Sequence, residues 1–220
     1  MASNYNNSAW FYDGLSRLVY GRALINAQVY LLQFVPAGST VLIVGGGTGW
    51  ILEELTKIHR SGLQITYVEV AADMMALSKK RNIGLNEAVF INDAIENTVV
   101  NEEFDVVITP FLFDNFTEPT AQKVFDHIHQ LLKTGGTWLN ADFQLTGKWW
   151  QGLLLKSMFL FFRMLCKIEA SQLPDVERLF SLHRYKETER RNFYGNFVVS
   201  MVYSTPAKSG DGNFPKQRTH

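Results

Sequence analysis

Val41-Leu42-Ile43-Val44 runs directly into Gly45-Gly46-Gly47-Thr48-Gly49. Backbone this bare at the end of a strand lets a ligand lie against its N–H groups, and a helix starting there adds a dipole that favours negative charge. A carboxylate or a phosphate would suit it. About twenty residues on, Glu69 stands where a carboxylate can accept hydrogen bonds from both hydroxyls of a ribose, which points to a nucleoside ligand. The dinucleotide pattern G-x-G-x-x-G is met only at Gly45 and Gly47, because Trp50 takes its third place, and no Gly-Lys-Ser/Thr follows as a Walker loop requires. The alternative without a ligand is a tight strand-to-helix turn. A third strand ending at Asn92-Asp93-Ala94 adds polar groups at the same level of the chain and favours the binding reading.

These residues need elements to hold them at one edge. Short apolar runs at 41–44, 65–70, 89–91, 104–109 and 137–142 read as strands, and helical spacing fills 51–59, 72–81 and 118–132, the last exiting at Lys133 and the Gly135-Gly136 pair. Unbroken apolar strands are those buried on both faces of a parallel sheet. Alternation with helices implies right-handed crossovers, hence a doubly wound α/β sheet with a ligand crevice at the carboxyl ends of its strands. Two helices are expected before this core, over 9–35, broken near Gly21 and stopped by Pro36, with Leu24, Ala27 and Leu31 on one face. After Lys148 the pattern changes to helices over 149–167 and 174–182, then two strands in 185–204 turning at Tyr194-Gly195-Asn196.

Composition narrows the function. Lys plus Arg and Asp plus Glu number 21 each in 220 residues, so no global field draws the chain to nucleic acid or anionic lipid. A small-molecule partner is expected. Cys166, the single cysteine, excludes an internal disulfide and reads as a buried, inert thiol. With no basic region or apolar core of the secretory kind at the N-terminus, a cytoplasmic protein is expected.

Taken together, VLIVGGGTG, YVEVAADMM, NDA, FDVVITPFLF and LLKTGGTW resemble the class I S-adenosylmethionine-dependent methyltransferases, over about residues 39–143 and more loosely through the final hairpin. The resemblance implies a Rossmann-like seven-stranded sheet, mostly parallel, whose last strand is antiparallel. It implies S-adenosyl-L-methionine as cofactor and a methyl transfer to a small apolar or aromatic acceptor. Gly45, Gly46, Gly47 and Gly49 would pass under the methionine and ribose, Glu69 with Val70 would hold the ribose end, Met74 would pack on the adenine, and Asp93 and Ala94 would meet its edge. Thr109 would offer its carbonyl to the methionine amine. Ile43 stands where most members carry an acid, and Thr134 where proline is common. The implied organisation is one domain over 1–204, with a helical cap at 1–36, a cofactor-binding core at 37–146, a helical lid at 147–184, a terminal hairpin at 185–204 and a mobile tail at 205–220.

No single general base can be assigned: Asp114, Asp142, His183 and Tyr12 could each face an acceptor or serve as surface or capping groups. His127 and His129 are two apart on one helix and point in different directions, so no metal is expected there. The 149–167 helix carries Gly152, Lys156, Arg163 and Lys167 on a narrow polar stripe and is too interrupted to span a membrane. A lid over the acceptor is the first reading, with Trp150, Phe159 and Phe162 turned inward; a dimer contact, a membrane-surface helix and a plain core helix are the others. The competing functions are a non-catalytic module of the same fold and a nicotinamide-dependent oxidoreductase, the latter opposed by Trp50.

Overall fold

The computed structural model describes residues 21–100, 102–166 and 170–205, with side chains in the long helix described through Leu160. Tyr12, the helix expected before Gly21, the side chains of Phe162 and Cys166, and residues 206–220 lie outside the described residues.

Helix α1 (Ala23–Leu32) leads to β1 (Thr40–Val44), α2 (Trp50–Ile58), β2 (Ser61–Val68), α3 (Ala72–Ser78) and β3 (Leu85–Ile91). Then follow β4 (Phe104–Pro110), α4 (Glu118–Leu131), β5 (Leu132–Phe143), α5 (Trp149–Cys166), α6 (Val176–Leu182), β6 (Lys186–Phe193) and β7 (Val198–Ser204). The seven strands form one sheet in the order β3-β2-β1-β4-β5-β7-β6. β1 pairs in parallel with β2 and β4, and β7 runs antiparallel to both β5 and β6. The reversed strand order on either side of β1 and β4 creates the crevice that a doubly wound sheet offers to ligands.

Because side chains alternate across a strand, β1 sends Val41 and Ile43 to one face and Leu42 and Val44 to the other, all four buried. The first face is covered by α1, α2 and α5, the second by α4 and α6. Trp138 centres the second: its ring stacks on Phe125 at 4.7 Å, meets Phe180 edge-on at 5.0 Å, and its Nε1 donates to Thr109 Oγ1 at 2.9 Å. The exposed edge strand β6 is blunted by charge, Arg190 pairing with Glu187 and Glu177.

Several boundaries differ from the sequence expectation. β2 begins at Ser61 and stops at Val68, which leaves Glu69 just past its end. Helix α4 stops at Leu131, and the Gly135-Gly136 pair lies inside β5, where the pairing with β4 shifts register between Phe104 and Val106. The pair therefore accommodates a bulge and not a helix exit, Gly135 taking φ +78°. Helix α6 starts two residues later than expected, capped by Asp175 accepting from the Arg178 N–H at 3.0 Å. On α5 the water-facing stripe is mainly apolar: Trp149, Leu153 and Leu160 are 81%, 64% and 61% exposed. Among the described residues no helix is long and apolar enough to cross a membrane.

Gly49 opens α2 at φ +77°, and a Cβ there would lie 2.6 Å from Ser78 Cβ and 2.7 Å from Ser78 Cα. It supplies the close helix approach that the dinucleotide pattern assigns to its third glycine, so Trp50 is free to carry a side chain. Gly49→Ala combines a left-handed conformation with an overlap against backbone and should cost about 2–4 kcal/mol in urea unfolding. Trp138→Ala should cost about 3–5 kcal/mol by the same measurement; a loss below 1 kcal/mol would remove it from the centre of the second core.

Candidate functional site

At the carboxyl ends of β1, β2 and β4 lies a cavity of about 460 Å³. Its floor is the glycine loop. The Gly45 N–H donates to Val68 O at 2.9 Å and ties the loop to β2. The Gly47 N–H donates to Glu69 Oε2 at 3.0 Å, while Gly47 O accepts from the Tyr67 hydroxyl at 2.9 Å. Behind the loop, Arg81 Nε donates to Thr48 O at 2.9 Å. Gly47 has φ +62°, and a Cβ there would meet only Met74 Sδ, at 3.8 Å, so the space above it is open. Under Gly46 the situation is reversed: a Cβ would fall 2.5 Å from the Tyr67 hydroxyl.

Glu69 is 6% exposed. Its second oxygen, Oε1, accepts from the Ala71 N–H at 2.8 Å. Burial pushes its carboxyl above the ordinary range, and the N–H groups of Ala71, Gly47 and Val70 pull it back. Burial, and then the neighbouring Glu69 charge, hold the Tyr67 phenol well above its usual value, so it remains a donor to the loop.

Gly45, Gly46, Gly47, Glu69, Val70, Met74 and Ala94 all line this cavity. Gly49, Asp93 and Thr109 are not among its lining residues. Gly49 faces Ser78, as described. Asp93 Oδ1 turns to the following turn, accepting from the Ala94 N–H at 2.7 Å and from Asn97 Nδ2 at 3.1 Å. Thr109 is fully buried, its hydroxyl donating to Asn140 Oδ1 at 2.8 Å, and Pro110 and Phe111 form the wall in its place. Phe111 has φ +54°, an unusual value for an aromatic residue, at the point where β4 turns into the cavity.

Among the lining residues that the sequence reading missed are Gln28, Trp50, Asn115, Phe116, Thr117 and Thr120. Gln28 had a signal, a polar residue on the apolar face of α1 that is 9% exposed in the fold. Trp50 opens α2 beyond the glycine loop, and the remaining four lie in the segment after β4 or at the start of α4, where a switch-point ligand is expected but where no period identifies individual residues.

Of the candidate bases, His183 is committed elsewhere, its Nε2 lying 3.1 Å from Asp126 and its Nδ1 2.9 Å from Leu179 O. His129 Nδ1 meets the Tyr185 hydroxyl at 2.8 Å, and His127 Nε2 is buried without a partner among the described residues, so the two histidines do diverge. Among the described residues no three His, Cys, Asp or Glu side chains converge as metal ligands. Asp114 and Asp142 are buried against each other at the junction of β4 and β5. Burial raises both carboxyls, and the Asp142 charge raises Asp114 further.

Comparison with known proteins bears on this architecture. A profile of the methyltransferase-domain family matches residues 41–136. An uncharacterized methyltransferase of Anoxybacillus flavithermus is 24% identical over 143 residues, 64% of this chain and 63% of that relative, so the match spans less than two thirds of its length. A chain from the complex of the Haloferax volcanii Trm112 methyltransferase activator with a methyltransferase superposes with a TM-score of 0.66 at 12% identity, over 94% of this chain and 99% of that one. The Burkholderia thailandensis 1,6-didemethyltoxoflavin-N1-methyltransferase, bound to 1,6-didemethyltoxoflavin and S-adenosylhomocysteine, gives 0.63 at 14% identity over 89% and 83%. The matched segment falls on the strands and loops that build the cavity, so the chain is similar there to a methyltransferase domain, and the superposed structures share its fold, built here on seven strands with an antiparallel β7.

Proposed function

We propose that the chain transfers a methyl group from S-adenosyl-L-methionine to a small, largely apolar or aromatic acceptor. Glu69 carries this reading. Each of its oxygens accepts one backbone N–H, and a carboxylate has about four lone-pair sites. Lone pairs remain for further donors beside the Gly47, Ala71 and Val70 N–H groups, and the hydroxyls of a ribose can supply them. The open space above Gly47 and the apolar side chain of Met74 suit the rest of a nucleoside, with Gly45 and Gly46 beneath it.

When bound, the cofactor supplies a sulfonium methyl that an acceptor lone pair can attack in line. The chain's residues position and dehydrate. Phe111, Leu112 and Phe116, with Trp50 opposite, give the cavity apolar walls. Such walls exclude water from a reaction that disperses charge, and alignment alone can supply roughly 7–11 kcal/mol of the barrier. The 1,6-didemethyltoxoflavin bound to the structurally similar Burkholderia methyltransferase supports a small-molecule acceptor. Residues 147–184 are read as the segment over the acceptor, α5 contributing the buried Leu155 and Phe159, with residues 1–36 as the cap and 37–146 as the cofactor-binding core.

S-Adenosylhomocysteine should raise the melting temperature in proportion to the logarithm of its concentration, whereas NAD should not. A shift with NAD alone would return the chain to the oxidoreductase reading. Glu69→Ala should weaken S-adenosylhomocysteine by about 1.5–3 kcal/mol in calorimetry. Since the hydroxyls donate to the ionised carboxylate, binding should hold at neutral pH and fall as pH drops through the raised Glu69 value. Glu69→Gln should flatten that profile; a profile unchanged in Glu69→Gln would assign the titration to another group.

A further inference from the structure

A second cavity, about 530 Å³, opens at the carboxyl end of β5. Leu155 and Phe159 of α5 roof it together with the 171–177 segment, and Val199 and Met201 of β7 extend its apolar wall. β5 presents Asn140 and Asp142 to it, two residues apart and so on one side of the strand. Asn140 is fully buried and Asp142 is 5% exposed. Asn140 Nδ2 and Asp142 Oδ2 have no hydrogen-bond partner among the described residues. Buried polar atoms are nearly always paired, so two orphans on one wall of one cavity point to something the cavity receives.

Their directions are fixed by the groups behind them. Trp138 Nε1 is only a donor, so Thr109 Oγ1 must accept from it and pass its own hydrogen to Asn140. Only the amide oxygen can accept that hydrogen, which leaves Nδ2 as the atom without a partner. On Asp142, Oδ1 accepts from the Phe143 N–H at 2.8 Å, the Phe113 N–H also draws the carboxyl down, and Oδ2 is left without a hydrogen-bond partner among the described residues. An unpartnered donor and an unpartnered carboxyl oxygen therefore belong to residues two apart on one side of β5. Burial brings Asp142 up to about 7 and holds Asp114 well above the usual carboxylate range, with the Asp142 charge adding to the effect. Burial and mutual repulsion thus disfavour charge on both carboxyls at once. The site is accordingly less suited to a full cation than to a neutral group, and an anion would meet both acids.

This cavity adjoins the first. Asp114 Oδ1 accepts from Asn115 Nδ2 at 2.9 Å, and Asn115 lines the glycine-loop cavity. Phe111 on that side and Phe143 on this one lie 5.1 Å apart, ring to ring.

We propose that the second cavity binds a neutral lactam or amide edge on a flat apolar body, its carbonyl accepting from Asn140 Nδ2 and its N–H donating to Asp142 Oδ2. That this molecule is the methyl acceptor rests on the reading under Proposed function; the recognition itself does not. Asn140 and Asp142 select the polar edge, and Phe159 with Met201 covers the rings.

The test uses 2-quinolone, which carries both groups, and N-methyl-2-quinolone, which keeps the shape and carbonyl but lacks the donor. Affinities for the full chain are read by ligand-observed NMR titration, with S-adenosylhomocysteine affinity followed on the same samples. The wild-type protein should prefer 2-quinolone at least tenfold. Asp142→Asn should erase that preference and Asn140→Asp should weaken both quinolones at least tenfold, with S-adenosylhomocysteine affinity unchanged as the check on folding. Equal binding of the two quinolones to the wild type, binding of neither up to their solubility limits, or an intact preference in folded Asp142→Asn would overturn the site and leave water as the partner of both atoms. The wild-type comparison needs no variant. Selectivity retained without S-adenosylhomocysteine binding would sink the cofactor reading alone, and the reverse would sink this site alone.

Discussion

A carboxylate taken out of water one residue beyond β2 is the constraint around which the first cavity is built. Unpaired, a buried charge of this kind is too costly to persist. Glu69 is held by N–H groups from two directions, Gly47 on the loop after β1 and Ala71 at the start of α3. Both donors must converge on one point, which fixes the height of the loop above the sheet. The parallel register of β1 and β2 brings Val44 level with Val68, and Tyr67 fastens the same glycine through its carbonyl. The positive φ of Gly47 follows from this geometry: its N–H faces Glu69 while its α-carbon faces open space.

The parts of the fold legible in the sequence are those whose residues answer to one neighbour shell. β1 and β4, buried on both faces, are continuous apolar runs, and the hairpin turn is marked by Tyr194, Gly195 and Asn196, all at positive φ. β2 and β3 start earlier than their apolar residues suggest because their first residues hold the ladder while facing water, as Ser61, Gly62 and Leu85 do. The bulged start of β5 is another such case, since Gly135 and Gly136 carry the same letters as a helix stop. For α5, apolar residues lie nearly all round, so periodicity does not decide which face turns inward. Trp150 does turn in, meeting Phe197 and Tyr194, while Trp149 turns out.

In the site, the glycines and Glu69 were readable because backbone conformation and charge burial leave few residue types that work. Asp93 and Thr109 were less so. A side chain at a strand end chooses between a ligand and its own backbone, and Asp93 serves the turn that begins at Ala94. Thr109 is displaced from the wall by where β4 bends, at Phe111, a matter of backbone direction that residue type does not encode. Gln28 and Thr120 reach the cavity from helices distant in the chain, so no local spacing could bring them together.

The same physics separates the two ends of the crevice. At Glu69 both oxygens are already anchored by backbone, so the group is rigid before any ligand arrives and adds only its spare lone pairs to recognition. At β5 the anchoring is partial by construction: a tryptophan that can only donate sets the threonine, the threonine sets the amide, and the amide hydrogens are left without a partner among the described residues. Orientation there comes from the second core, where Trp138 is clamped between Phe125 and Phe180. The polarity of the second cavity is therefore a consequence of aromatic packing around Trp138, two residues back on the same side of the strand. A change in that core that kept its volume but removed the indole N–H would let Thr109 and Asn140 turn, altering what the cavity can recognise without touching its wall.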